Sequence, residues 1–313
     1  MSRSGRRHLL SIADLSDDDL QVLVGQSRDY ARGAPDTQAP LRGTTVGVYF
    51  RRTSTRTRTA FSSGALRLGA QIIAYGPNDL QENTGETIGD TGRVLSRMLD
   101  GFVARTAGDP GELRNIAGQR RMSVINAMTA DEHPTQAVTD LSTILTHLGR
   151  LEGTRVLYAG EGNNTAAALA LALARVRRTR LHLRTPEGYG LEPSVLERAA
   201  DTARSHGSVV EESHDPRETP NSIDIVYTTR WQTTGSVKED PDWRRKFRPF
   251  QVDAALMARH PGARFMHDLP AHRGEEVTAD VLDGPRSIAF EQAGHKLFGA
   301  MSVLRWCLAG TPA

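Results

Sequence analysis

Apolar positions along the chain recur in two alternating rhythms. Val46, Val48 and Phe50 fall at every second position, which predicts a half-buried strand; Phe61, Ala65, Leu66 and Leu68 follow at roughly helical spacing. The same succession repeats. Further strands are predicted at 71–75, 102–104, 123–127, 154–159, 181–183, 223–227 and 265–267. Helices are predicted at 11–26, 87–99, 137–148, from 164 to about 175, at 193–205 and at 293–308. Strands alternating with helices through short connections imply parallel sheets covered on both faces. At 313 residues the chain exceeds what one hydrophobic core usually serves, so two α/β domains are expected.

Ligands of such sheets bind beyond the carboxyl ends of the strands, which directs attention to the polar segments placed there. After the strand at 46–50 comes Arg51-Arg52-Thr53-Ser54-Thr55-Arg56-Thr57-Arg58, running into a helix start. Hydroxyls, guanidinium groups and the unpaired N–H groups of a first helical turn suit an oxyanion; a solvated basic turn with a Ser/Thr cap is the plainer alternative. Arg105 closes another strand. His133-Pro134-Thr135-Gln136 follows a third, with Pro134 suited to a first helical turn and His133 and Gln136 three apart on one face. A histidine and an amide beside an anion cradle can bind a carbonyl oxygen and an NH₂ group.

Composition narrows the field. With 39 basic and 37 acidic side chains the net charge is +2, which gives no basis for a nucleic-acid or anionic-membrane partner. The arginine-rich stretches at 175–180 and 243–248 lack an aromatic stacking motif and read as solvated faces. A single cysteine, Cys307, leaves no internal disulfide and fits a reducing, cytoplasmic setting. The basic N-terminus has no apolar core of signal-peptide length, and the longest apolar run, 166–174, is too short to span a membrane. No Asp/Glu/His set shows metal-ligand spacing, so neither metal nor cofactor is expected. The turn Gly160-Glu161-Gly162-Asn163-Asn164 lacks the third glycine of a dinucleotide fingerprint.

Ser54-Thr55-Arg56-Thr57-Arg58, Arg105, His133-Pro134-Thr135-Gln136 and His267-Asp268-Leu269-Pro270 occur in that order, and the chain from about 9 to 308 resembles the aspartate/ornithine carbamoyltransferase family. The resemblance implies two doubly wound parallel-sheet domains linked by helices. A carbamoyl phosphate-binding domain would occupy 1–148, with the helix at 293–308 packing back on it, and an amine acceptor-binding domain 149–292. It also implies a homotrimer with active sites between subunits. Ser54, Thr55, Arg56 and Thr57 would hold the phosphate, and Arg105 phosphate and carbonyl oxygen. Thr57 and His133 would donate to that oxygen; Gln136 and the backbone carbonyls of Asp268 and Leu269 would hold the NH₂. Gln81 matches a position that reaches a neighbouring subunit's phosphate site, or is an ordinary surface glutamine. Leu269-Pro270 resembles a family bond that is cis. The role of Lys296 stays open.

The acceptor motifs are mixed. Ornithine enzymes have an aspartate where this chain has Thr229, Ser-Met-Gly where it has Thr233-Thr234-Gly235, and cysteine where it has Asp268. Arg230-Trp231-Gln232 resembles the carboxylate-binding Arg-x-Gln of aspartate enzymes, as does the turn at Gln292-Ala293-Gly294, yet their neighbouring-subunit lysine falls at Thr84. Gly162-Asn163-Asn164 is ornithine-like, and Arg273-Gly274-Glu275-Glu276-Val277 is similar to putrescine enzymes. An acceptor site of Asn163, Asn164, Thr229, Arg230, Gln232 and Asp268 is expected to favour a short diamino acid such as 2,3-diaminopropionate, then ornithine, then aspartate or putrescine. An inactive ligand-binding relative is the non-enzymatic alternative.

Overall fold

The computed structural model describes residues 6–33, 39–80, 85–233 and 237–309. It divides into two units, Met1–Ser142 with His295–Ala313, and Thr143–Gly294. The chain passes from the first to the second within one helix, α5 (Pro134–Leu148), and returns within another, α11 (Ala289–Leu308). Both boundaries therefore lie inside helices, a few residues from the divisions at 148 and 292 that the sequence suggests.

The first unit is built on four parallel strands, β1 (Thr45–Phe50), β2 (Gln71–Tyr75), β3 (Gly101–Arg105) and β4 (Ser123–Met128), in the order β2-β1-β3-β4. The central strands β1 and β3 are buried almost throughout, as strands covered on both faces require. The stretch at 11–26 is not one helix. Ser11 caps a 3₁₀ turn at Ile12–Asp14, Leu15 is extended, and Ser16 caps α1 (Asp17–Ala31), its Oγ accepting from Asp19 N at 3.1 Å. Two successive serine caps thus start two helical segments where periodicity alone suggests one. After α2 (Thr55–Arg67), α3 (Ile88–Leu95) ends earlier than expected, where the Ser96 hydroxyl donates to Arg93 O at 2.8 Å; turns continue to Leu99. α4 (Pro110–Ala117) was not anticipated.

From His295 onward α11 packs within this unit. Ser302 Oγ donates to Leu23 O at 2.8 Å, Ser123 Oγ to Cys307 O at 3.1 Å and Trp306 Nε1 to Asp19 Oδ1 at 3.1 Å. Cys307 is buried, and the loss of hydration pushes its thiol pKa up, so it is a packing residue and no nucleophile.

The second unit carries five parallel strands: β5 (Arg155–Ala159), β6 (Arg180–Arg184), β7 (Val209–Ser213), β8 (Ile225–Thr228) and β9 (Arg264–His267), in the order β7-β6-β5-β8-β9. β7 is an edge strand with a mixed burial pattern, and its residues Val209-Val210-Glu211-Glu212-Ser213 make no apolar run. α6 (Asn164–Leu173) is buried along its whole length, and α7 (Pro193–Ser205) packs against α6 and β7. Three short helices, α8 (Trp243–Phe247), α9 (Ala254–Arg259) and α10 (Ala279–Leu282), complete it. In α8 the arginines point outward while Trp243 and Phe247 are buried against Trp231. Leu269-Pro270 is cis. Among the described residues no helix is long and apolar enough to cross a membrane.

Candidate active site

In the first unit the carboxyl ends of three neighbouring strands lie together. Phe50 of β1 pairs in register with Arg105 of β3, and Arg105 with Met128 of β4. The segments that follow these strands carry the donor residues read from the sequence. Ser54 is the N-cap of α2 in extended conformation, but its hydroxyl makes no capping bond; Thr55 and Arg56 lie in the first turn with Thr57, which is buried. The start of α2 thus offers N–H groups and the positive end of a helix dipole, with Arg56 alongside.

Arg105 and His133 are both buried, with Arg105 Nη1 3.5 Å from His133 Nε2. A guanidinium only donates, so Nε2 is the acceptor and the ring is the neutral Nδ1–H tautomer, facing Thr135 Oγ1 at 3.3 Å. Burial holds the His133 pKa well below the usual histidine range, and the charges of Arg105 and Lys296 depress it further. One turn on, Gln136 Nε2 donates to Asp140 Oδ1 at 2.7 Å, while its Oε1 accepts from Lys296 Nζ. Thr57, His133, Gln136 and Lys296 line one pocket. Lys296 is a residue whose role the sequence left open; it is buried on α11, and its partner Gln136 is far from it in the chain.

The acceptor residues read from the sequence gather at the carboxyl ends of β5, β8 and β9 in the second unit. Asn163 caps α6, its Oδ1 accepting from Thr165 N and Ala166 N, and Asn164 is buried in the first turn. Asn163 Nδ2 donates to Thr229 Oγ1 at 2.9 Å and Thr233 Oγ1 at 3.0 Å. Thr229 is buried just past β8, and Arg230 and Gln232 beyond it are half-buried. Arg230 Nε is buried with no partner among the described residues. At the end of β9, Asp268 Oδ2 accepts from Thr165 Oγ1 at 3.0 Å. His267 beside it accepts from Leu269 N through Nδ1 at 2.8 Å, so its Nε2–H donates to Glu276 Oε1 at 3.2 Å.

The fold also corrects the reading that no metal-spaced set exists: single ligand atoms of His272, Glu275 and Glu276 lie within 4.8 Å of one another. Glu276 Oε1 already accepts from His267 Nε2 and His272 N, which makes this carboxylate a brace for the loop after β9. Gln81, Thr84, Thr234 and Gly235 lie outside the described residues.

Residues 7–146 match the carbamoyl-P binding domain of aspartate/ornithine carbamoyltransferases, and residues 152–307 match their Asp/Orn binding domain. The chain belongs to this family. It is 38% identical over 303 residues to an ornithine carbamoyltransferase of Methanothermobacter thermautotrophicus, covering 96% of this chain and 99% of that one. An ornithine carbamoyltransferase of Thermococcus kodakarensis is 40% identical over 271 residues, 86% of this chain and 85% of its own. The solved ornithine carbamoyltransferase of Pyrococcus furiosus superposes with a TM-score of 0.91 at 34% identity, covering both chains completely. This member of the carbamoyltransferase family is therefore a transferase, with a carbamoyl phosphate-binding unit and an amino acid-binding unit.

Proposed function

We propose that this carbamoyltransferase carries the carbamoyl group of carbamoyl phosphate to the side-chain amine of a short α,ω-diamino acid, 2,3-diaminopropionate ahead of ornithine, and works as a homotrimer. Ser54, Thr55, Arg56, Thr57 and Arg105 clamp the phosphate. As Arg105 turns to the ligand it releases His133 Nε2. In the other neutral tautomer, with Nδ1 accepting from Thr135, the ring then donates to the carbonyl oxygen. Thr57 joins it there, where negative charge grows as the amine attacks carbon, and Gln136 accepts from the NH₂. The C–O bond to phosphate breaks, and the departing phosphate takes up the proton that the amine gives up.

The observation that carries the choice of acceptor is the charge pattern of the second unit. Asp268 brings a carboxylate to the end of β9, suited to an ammonium, while Arg230 and Gln232 suit an α-carboxylate. Thr229 gives an uncharged hydroxyl where ornithine enzymes have an aspartate. The attacking amine must also be neutral, and deprotonating a lysine-like amine at pH 7 costs about 4–5 kcal/mol. In a short diamino acid the second ammonium stands closer, and like-charge repulsion lowers that cost. Ornithine is the second reading, favoured by the names of the relatives.

Initial rates with labelled carbamoyl phosphate decide between them. We expect kcat/KM for 2,3-diaminopropionate to exceed that for ornithine by about tenfold, or ~1.4 kcal/mol in the barrier, with 2,4-diaminobutyrate between. A preference for ornithine would return the enzyme to its relatives' substrate. A preference for aspartate or putrescine would refute the role of Asp268 or of Arg230 respectively.

A further inference from the structure

Glu161 and Lys238 have no assigned role in the site, yet they form a partly buried ion pair next to it. Lys238 Nζ donates to Glu161 Oε1, with the lysine side chain 4% and the glutamate side chain 15% exposed. The ammonium also stands 4.8 Å from the ring centroid of Tyr189, 5.0 Å from that of Phe247 and 5.4 Å from that of Trp243. Three rings and one carboxylate make a cage for a desolvated cation.

The other oxygen of Glu161 leads to the acceptor residues. Thr233 Oγ1 donates to Glu161 Oε2 at 3.0 Å, so toward Asn163 Nδ2 the same hydroxyl can only accept. The second N–H of Asn163 goes to Thr229, which sends its own proton to Tyr158 OH at 3.2 Å or Arg230 O at 3.4 Å. Tyr158 spends its proton on Glu161 O at 2.6 Å, closing a ring on the residue where it began. Thr233 thus donates to Glu161 and accepts from Asn163, which ties the orientation of the Asn163 amide to the position of the Glu161 carboxylate. Thr229 is left facing Asn163 as an acceptor, with lone-pair capacity for an ammonium.

We propose that Lys238 is a positioning residue for the acceptor amino acid: by anchoring the Glu161 carboxylate beside the aromatic cage, it orients Thr233, Asn163 and Thr229. The inference rests on the acceptor reading above. Without the lysine, the Glu161 carboxylate loses its anchor in the cage and can turn away from Thr233. Thr233 and, through it, the Asn163 amide then lose their fixed orientation.

The test is steady-state kinetics with the amine that wild type uses best. Lys238→Met should raise the acceptor KM by about tenfold or more while the carbamoyl phosphate KM stays within about twofold and kcat within about threefold. Lys238→Arg, which keeps the charge in the cage, should recover most of the loss. Glu161→Gln, which keeps the lysine, should raise the acceptor KM as Lys238→Met does and serves if that variant fails to fold. The double variant, freed of an unpaired carboxylate, should be less impaired than the two effects summed. Wild-type turnover with an acceptor KM unmoved in Lys238→Met and Glu161→Gln, or with both KM values rising together, overturns the positioning role alone. No wild-type turnover with any amine overturns the acceptor reading itself.

Discussion

Glu132 and His133 are chain neighbours before α5, and burial drives both side chains toward neutrality from opposite sides. Glu132 accepts from Ile12 N at 2.7 Å, but desolvation outweighs that bond and lifts its pKa from 4.5 to about 7. His133 is held well below its ordinary 6.5, first by burial and then by Arg105 and Lys296. The raised glutamate contributes stability that is full below pH 4.5 and lost as pH rises to about 7. The lowered histidine contributes stability that is full above pH 6.5 and lost as pH falls toward its folded pKa. Between these limits the unfolded pair carries its proton on the histidine and the folded pair on the glutamate. The proton counts match, and the two slopes cancel. We therefore expect Glu132→Gln to make stability rise with pH up to 6.5, and His133→Gln to make it fall between pH 4.5 and about 7. The fall should total about 3 kcal/mol. Denaturant midpoints across this range for the two variants measure it, and slopes of the same sign in both would refute it.

At the scale of elements, Gly162 shows what local pattern reveals and what it withholds. The turn at 160–164 reads from sequence as glycine-containing and unlike a dinucleotide loop, but the reason for the glycine lies elsewhere in the chain. Gly162 N donates to Tyr189 O at 2.8 Å, and an added Cβ would stand 2.2 Å from Gly190 C and 2.3 Å from Leu191 N. Both are backbone atoms and cannot swing aside. Gly162→Ala should cost about 3 kcal/mol. Gly25, inside α1 with nothing within 4 Å of its missing Cβ, should gain about 0.5–1 kcal/mol as alanine. Urea midpoints of the two variants compare them, and a Gly162→Ala protein as stable as wild type would show that the turn can open. The same division between local and distant information runs through the fold. Most strands and the longer helices were legible because apolar period is a local property. Helices of four to six residues, such as α8, α9 and α10, are too short to show a period, and the edge strand β7 has too little buried surface. Residues that follow strand ends could be found because parallel sheets bring those ends together. Lys296 could not, since its partner Gln136 lies 160 positions away; nor could the pair of Glu161 and Lys238, 77 apart.

For the whole molecule the remaining question is how many chains make one site. The family resemblance assigns Gln81 to a neighbouring subunit's phosphate, while Arg105 serves its own subunit beside His133. If sites are shared in this way, Gln81→Ala and Arg105→Ala damage different halves of every site, and each variant alone is inactive or nearly so. In the proposed trimer, mixing with dissociation and reassembly would give hybrids of the two variants. A site is intact wherever a Gln81→Ala chain, with its own Arg105, meets a neighbour carrying Arg105→Ala and therefore an unaltered Gln81. With random assembly at equal proportions that combination occurs at about a quarter of sites, as expected for a head-to-tail ring. Activity should thus rise on mixing to about a quarter of the wild-type value. The gain must require subunit exchange, so mixing the variants without dissociation should leave the rate unchanged. A chain that is monomeric by light scattering at assay concentration, or a reassembled mixture no more active than the average of its parts, would refute the shared site.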